Sequence, residues 1–257
     1  PWVPYLEIEL AFRMDVLAAF MSLIVLGVGA LVLAYCARYF REHEPRNAVF
    51  GGQLLAFAGA MFGLVTTDDL MVLYTFWEIT SVLSFLLIGY SGHRIFARRS
   101  AITALIVTTF GGLAMLAGLI MLAHFAGSWR ISGVLAAAPG LLADDGGRVL
   151  LEVAVGLVLI GALTKSAQAP FHFWLPGAMA APTPVSAYLH AAAMVKAGVF
   201  LVARLAPAFH ELATWQVLVL GLGLWTLLLG GWRALRQTDV KLVLAYGTVS
   251  QLSLIHI

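Results

Sequence analysis

Apolar residues fill this chain in runs of about twenty, separated by short clusters of arginine, aspartate and glycine. That run length matches a bilayer, whose hydrocarbon core is roughly 30 Å thick, because a helix rises about 1.5 Å per residue. The pattern predicts membrane spans over residues 14–37, 48–67, 70–90, 101–125, 149–169, 185–205 and 214–231, with an eighth opening near Asp239. The fifth is interrupted at Pro170, and residues 171–179 are expected to form a short half-helix that completes it. The link 67–69 is too short for anything but adjacent, antiparallel spans on either side, and Thr66, Thr67 and Asp68 are good N-cap types for the helix that follows. The loop 127–148 is polar only at its ends, which predicts a short interfacial helix. The fold class is all-α: a polytopic transmembrane helix bundle with one broken helix.

Composition agrees with the pattern. The chain is 61% hydrophobic and 11% charged, where a soluble domain is about a quarter charged, so lipid must be the solvent. A net charge of +2 is too small to point to nucleic acid. The distribution of charge gives orientation. Arg38, Arg41, Arg46, Arg94, Arg98, Arg99, Arg233 and Arg236 follow spans one, three and seven. The opposite loops hold Arg13, Arg130, Arg148 and Arg204 mixed with Glu7, Glu9, Asp15, Asp68, Asp69, Asp144, Asp145 and Glu211. Lysine and arginine concentrate on the cytoplasmic side, which places residue 1 outside. Cys36 is the single cysteine, so no internal disulfide framework or thiolate cluster is expected. No P-loop, CxxCH or HExxH occurs, so neither cofactor nor metal is expected. The chain begins with PWVPYLEIEL, without a methionine or a basic leader region, and is expected to be a piece of a longer protein.

The chemistry concentrates in LTKSAQAPFHFWLPGAMAAPTPVSAYLHAAAMVK, residues 163–196. Lys165, His172, His190 and Lys196 fall there among Pro170, Pro176, Pro182 and Pro184, which are expected to break the helix. Ionisable groups inside a bilayer mark ion or proton paths, and irregular backbone survives there only under protein or around a hydrated cavity. A broken helix beside a lysine is the pattern of a transport site. Glu78, in LYTFWEITSVLSF, stands mid-span with no basic residue within two turns, so any partner comes from another helix. It is either a hydrogen-bonded structural carboxyl or an ionisable switch. Lys165 either snorkels to the interface or forms with Glu78 a gate whose lysine moves between partners. His190 and Lys196 are six helical steps apart, about 600°, and so face directions about 120° apart. Each is a candidate relay alongside Ser186, Tyr188 and Thr164, with a packing histidine as the alternative for His190. His172 either joins the path or bonds carbonyls freed at the break. Asp239 reads as an N-cap, and Lys241 as an interfacial anchor or the start of a second charged path.

TDDLMVLYTFWEITSVLSFLLIGY, the 163–196 stretch and RQTDVKLVLAYGTVSQ together resemble the proton-translocating antiporter family. That family joins the large subunits of Mrp-type Na⁺/H⁺ antiporters to the antiporter-like subunits of respiratory complex I. PFHFWLP, FWEIT and the lysine of HAAAMVKAG are similar to the Mrp-type large subunit that carries a long C-terminal extension. The resemblance covers nearly the whole chain. It implies a fold of inverted five-helix repeats, with spans two to six forming the first repeat and span seven beginning the second. It implies a proton path through Glu78, Lys165, His190 and Lys196, with Lys241 where the second repeat begins. It further implies partner subunits of an antiporter complex, a bacterial inner membrane, and protons and Na⁺ as substrates. A proton-pumping subunit of an NADH–quinone oxidoreductase or membrane hydrogenase is the alternative. Residues 1–251 are expected to form the N-terminal part of the membrane domain. The family pattern continues after Gln251 with something like LGL or LGF, whereas LSLIHI resembles translated sequencing-adapter DNA. Residues 252–257 are therefore expected to be a non-native tail, and His256 is assigned no role.

Overall fold

The computed structural model describes residues 9–40, 47–92, 94–143 and 146–257. Residue 1, Glu7, Arg41, Arg46, Asp144 and Asp145, used above for orientation, lie outside them. The described residues form ten helices: α1 Val16–Tyr39, α2 Asn47–Thr66, α3 Leu70–Ile88, α4 Ile95–Ala126, α5 Ile131–Ala143, α6 Arg148–Lys165, α7 Trp174–Ala178, α8 Thr183–Phe209, α9 Ala213–Ala234 and α10 Val240–His256. Six of these, α1–α4, α8 and α9, are long and apolar enough to cross a membrane. The 18-residue α6 is buried along most of its length but carries Arg148, Glu152 and Lys165.

The apolar surface is turned outward as a bilayer requires. Along α1, Ala18, Met21, Ser22, Val25, Gly29 and Val32 face the bundle at three- and four-residue spacing, while Leu23 and Leu31 are more than 70% exposed. Small residues let α4 and α6 approach closely. A Cβ on Gly118 would meet the Ala154 carbonyl, and one on Gly161 would meet the Gly111 carbonyl at 2.9 Å.

At one end of the bundle, several polar contacts gather at the α2–α3 turn. Thr66 ends α2, and the cap of α3 is Asp69, one residue beyond the expected set; its carboxylate accepts from the Met71 and Val72 amides at 2.9 and 3.0 Å. Asp68 instead accepts from the Ser132 amide and hydroxyl at the start of α5. The helix expected within the loop 127–148 is α5, with Pro139 inside it. Asp15 caps α1 and also pairs with Arg204 of α8, and Glu9 pairs with Arg130.

Helix α6 stops at Lys165. Ala167 adopts φ +52°, a left-handed conformation costing a non-glycine residue roughly 1–2 kcal/mol. The Gln168 amide then returns to the Leu163 carbonyl at 2.9 Å, closing the helix end as a Schellman turn does. Pro170 and Pro182 stand in the non-helical links. Pro176 and Pro184, expected to break helices, instead lie in the first turns of α7 and α8, where a missing N–H costs nothing. Residues 171–178 are helical, as the sequence predicts, as a 3₁₀ turn running into α7.

Helix α8 departs from expectation. Residues Ser186–Ala192 are π-helical, Ala193 bends the chain at φ −123°, ψ −72°, and α-helix resumes at Lys196. The angular separation expected between His190 and Lys196 requires regular α-helix and does not hold across this bend. Asp239 caps α10 as expected, accepting from the Lys241 amide at 2.7 Å.

Candidate functional site

Lys165 is the last residue of α6 and is completely buried, so its side chain does not snorkel to the interface. Its ammonium makes three hydrogen bonds, all to one turn of α3: to the Trp77 carbonyl at 2.7 Å, Thr80 Oγ1 at 2.7 Å and Ser81 Oγ at 3.2 Å. The ammonium also lies 4.3 Å from the centroid of the Trp77 ring. A lysine has three N–H donors, so this set satisfies it. Residues 77, 80 and 81 share a face of α3 because they are three and four positions apart. The hydroxyls of Thr80 and Ser81 in turn donate to the Trp77 carbonyl, at 2.7 and 3.2 Å.

Glu78 is on the same turn and within Coulombic range of the ammonium, yet the two form no ion pair. The expected Glu78–Lys165 contact is replaced by the α3 cradle. The Glu78 carboxylate lies instead against Gly112 of α4, where a Cβ would fall on its Oε1. That oxygen is buried and has no hydrogen-bond partner among the described residues. Glu78 is therefore not a hydrogen-bonded structural carboxyl through that atom.

His190 lies in the π-helical stretch, 1% exposed, with its ring edge-on to Trp174 at 6.1 Å between centroids. Neither ring nitrogen has a partner among the described residues. Trp174 donates to the Thr164 carbonyl at 2.9 Å, so the indole connects the break after Lys165 to His190. The other expected relay hydroxyls are dispersed: Thr164 bonds the Gly161 carbonyl, Tyr188 bonds the Val25 carbonyl, and the Ser186 hydroxyl has no partner among the described residues. Lys196 opens the resumed helix and lines a cavity of ≈520 Å³ against α9 and α10, away from the Lys165 cradle. Lys241 donates weakly to the Ala181 carbonyl at 3.3 Å and borders a second cavity of ≈560 Å³ with Arg94 and Asp239. His172 does not bond a freed carbonyl through Nε2; that atom lies 3.1 Å from the Arg233 guanidinium. Arginine only donates, so Nε2 is the acceptor there.

Residues 166–169 of the break are buried, while Pro170 is exposed. Ser166 Oγ donates to the Val195 carbonyl at 2.9 Å, joining the two interrupted helices. The Ala169 amide donates to Thr226 of α9 at 2.9 Å, and Gln168 accepts from Ser253 of α10 at 2.8 Å. Trp77, Thr80, Ser81, Ser166, Trp174 and Thr226 were not expected at the site. For the first three a signal existed: Trp77, Thr80, Ser81 and Ser84 form a polar stripe at helical spacing within an apolar span. No three His, Cys, Asp or Glu side chains converge as metal ligands among the described residues.

Residues 67–257 match the family described as NADH:quinone oxidoreductase/Mrp antiporter, TM, and residues 2–50 match NADH-Ubiquinone oxidoreductase (complex I), chain 5 N-terminus. The chain is 47% identical over 255 residues to an Na(+)/H(+) antiporter subunit of Alkalihalophilus pseudofirmus, covering 99% of this chain and 31% of that protein. It is 48% identical over 256 residues to a probable K(+)/H(+) antiporter subunit of Rhizobium meliloti, covering 100% and 25%. A chain in the structure of the Mrp complex from a Dietzia species superposes with a TM-score of 0.92 at 41% identity, covering 98% of this chain and 27% of that one. The chain thus spans about a third or less of the length of these relatives.

Proposed function

The chain belongs to the NADH:quinone oxidoreductase/Mrp antiporter family, and from that membership we propose that it is the N-terminal part of a large subunit of a multisubunit cation/proton antiporter. It conducts protons through Glu78, Lys165, His190 and Lys196, with Lys241 opening the second repeat, and inward proton movement drives Na⁺ export. Its partners are the other subunits of the complex and the lipid of a bacterial inner membrane, with residue 1 on the outer side. The relatives described as antiporter subunits, at 47% and 48% identity, favour this over the redox-driven pump.

The observation that carries the proposal is a fully buried lysine resting on neutral oxygens while a carboxylate on the same turn has an oxygen with no partner among the described residues. Hydrogen bonds to a charged group are worth about 1.5–3 kcal/mol each. An ion pair at about 4 Å and an effective dielectric of about 20 is worth about 4 kcal/mol before its own hydrogen bonds. Those terms are comparable, so the lysine is bistable between cradle and carboxylate. Protonating or deprotonating Glu78 switches the second term on or off and moves the lysine. The break immediately after Lys165 lets its helix end shift without unwinding a continuous span.

The test is proton exchange in everted vesicles bearing the whole complex, with Glu78→Ala. The proposal expects assembly to persist and sodium-evoked collapse of the pH gradient to vanish. Wild-type exchange in that variant would refute the assignment of Glu78.

A further inference from the structure

We propose that the oxygens now holding Lys165, namely the Trp77 carbonyl and the Thr80 and Ser81 hydroxyls, form with the Glu78 carboxylate a binding site for the transported alkali cation, which the lysine ammonium and the cation occupy in turn. The inference rests on the antiporter reading and assigns it a place where the cation passes.

The cradle has the chemistry of a receptor for a hard monovalent cation. Thr80 and Ser81 spend their hydroxyl hydrogens on the Trp77 carbonyl, at 2.7 and 3.2 Å. Their lone pairs are therefore what the ammonium meets, at 2.7 and 3.2 Å, beside the carbonyl at 2.7 Å. Nothing in this set requires an N–H donor, because every contact is an oxygen offering electrons. Hard cations take such carbonyl, hydroxyl and carboxylate oxygens. The three cradle oxygens are neutral, and Glu78 supplies a single negative charge with an oxygen that is buried and unused among the described residues. One carboxylate balances one monovalent ion and leaves a divalent ion uncompensated in a medium where that is costly.

The site is closed. Trp77 and Thr80 are 0% exposed and Ser81 is 1% exposed. In that low-dielectric volume two unit charges at contact distance repel strongly, so the site holds the ammonium or the cation, never both. Charge balances in the exchange. Lys165 gives its proton to the path and withdraws as a neutral amine, Na⁺ enters, and the net charge of the site is unchanged. On return, reprotonated Lys165 displaces the cation. That exclusion is itself an obligatory exchange of proton for cation.

The experiment uses the whole complex in everted vesicles, with Na⁺ and separately K⁺ as probes, and reads the half-saturating cation concentration. Thr80→Val with Ser81→Ala is expected to raise it at least tenfold, while Thr80→Ser, which keeps the hydroxyl, stays within twofold of wild type. An unchanged half-saturating concentration in the double variant would overturn the proposal. Where the double variant fails to assemble, Ser81→Ala alone carries the test at a smaller expected shift of at least threefold, because it removes only the longest of the three contacts. Where a variant assembles but does not transport, binding of radioactive sodium to the purified complex replaces the rate. Loss of binding supports the site, and retained binding contradicts it. Lys165→Ala separates this inference from the reading beneath it. That variant is expected to lose exchange yet bind sodium at least as tightly, its competitor being gone. Lost binding there would sink the cation site alone, whereas retained exchange would sink the antiporter role of Lys165.

Discussion

Gly112→Ala is the sharpest single perturbation this structure offers. The added methyl would clash with Glu78 Oε1, so the carboxylate must move. The cost in stability is small, for two opposing reasons. Alanine is better than glycine in a helix interior by about 0.5–1 kcal/mol. Overpacking a core costs about 1–3 kcal/mol, and here the atom in the way is the end of a flexible side chain, which puts the cost at the low end. The two nearly cancel, and the variant is expected to assemble. Function does not cancel. In the proton path proposed through Glu78, a displacement of about 1 Å costs on the order of 10²-fold in rate. Sodium-evoked collapse of the pH gradient in vesicles should therefore slow about 10- to 100-fold at normal expression. Gly111→Ala, one residue away, is the contrast. Its methyl would run into Thr164, whose Cβ would lie 2.7 Å away and whose hydroxyl is tied to the Gly161 carbonyl at a close α4–α6 contact. That variant should lose assembly before it loses rate. Wild-type exchange in Gly112→Ala would refute the placement of Glu78 against α4 or its part in the path.

Other consequences are as concrete. Asp69→Ala removes the acceptor of two amides at the start of α3 and should cost about 1–2 kcal/mol, seen as a lower midpoint in thermal denaturation of the purified protein, while Asp69→Asn keeps an acceptor and should lose less. The hydrogen bond from Arg130 holds the Glu9 carboxyl below its ordinary range. A depressed folded-state pKa stabilises above the unfolded value and is lost as pH falls through the folded one. The clasp of residue 9 to the α4–α5 link should thus be closed at neutral pH and open in acid, which a nitroxide spin label attached in advance to a cysteine introduced at Ala11 would report as greater mobility at low pH. Equal mobility at both pH values would contradict it.

Much of this architecture was legible because lipid imposes a strict length and polarity on each span. The runs at 48–67 and 70–90 became α2 and α3 with bounds shifted by a residue or two, and the polar-ended loop became α5. An interruption of the fifth span was legible from Pro170, but α6 ends at Lys165, four residues before the expected bound at 169, through the left-handed turn at Ala167. The π-helical stretch and bend in α8 were not legible. SAYLHAAAMVK has the composition of a good regular helix, and its distortion comes from tertiary demands: Ser166 takes the Val195 carbonyl, and Trp174 packs on His190. In the site, charge drew attention to Glu78 and Lys165, but neutral Thr80 and Ser81 do the holding. Hydroxyls in a helix usually back-bond to their own carbonyls, as these two do, and only the arrival of Lys165 from α6 turns that habit into a receptor. Sequence singled out the carboxylate and the lysine; it carried no information on which of two partners the lysine holds.

Gating by Lys165 is tested by the response of a respiration-driven pH gradient to added sodium in everted vesicles carrying the complete complex, wild type beside Lys165→Ala, from a host that lacks other antiporters. A gating lysine predicts collapse of the gradient in wild type and none in Lys165→Ala, with equal amounts of assembled complex in the membrane. Collapse at the wild-type rate in Lys165→Ala would contradict it, because a lysine that can be deleted without effect gates nothing.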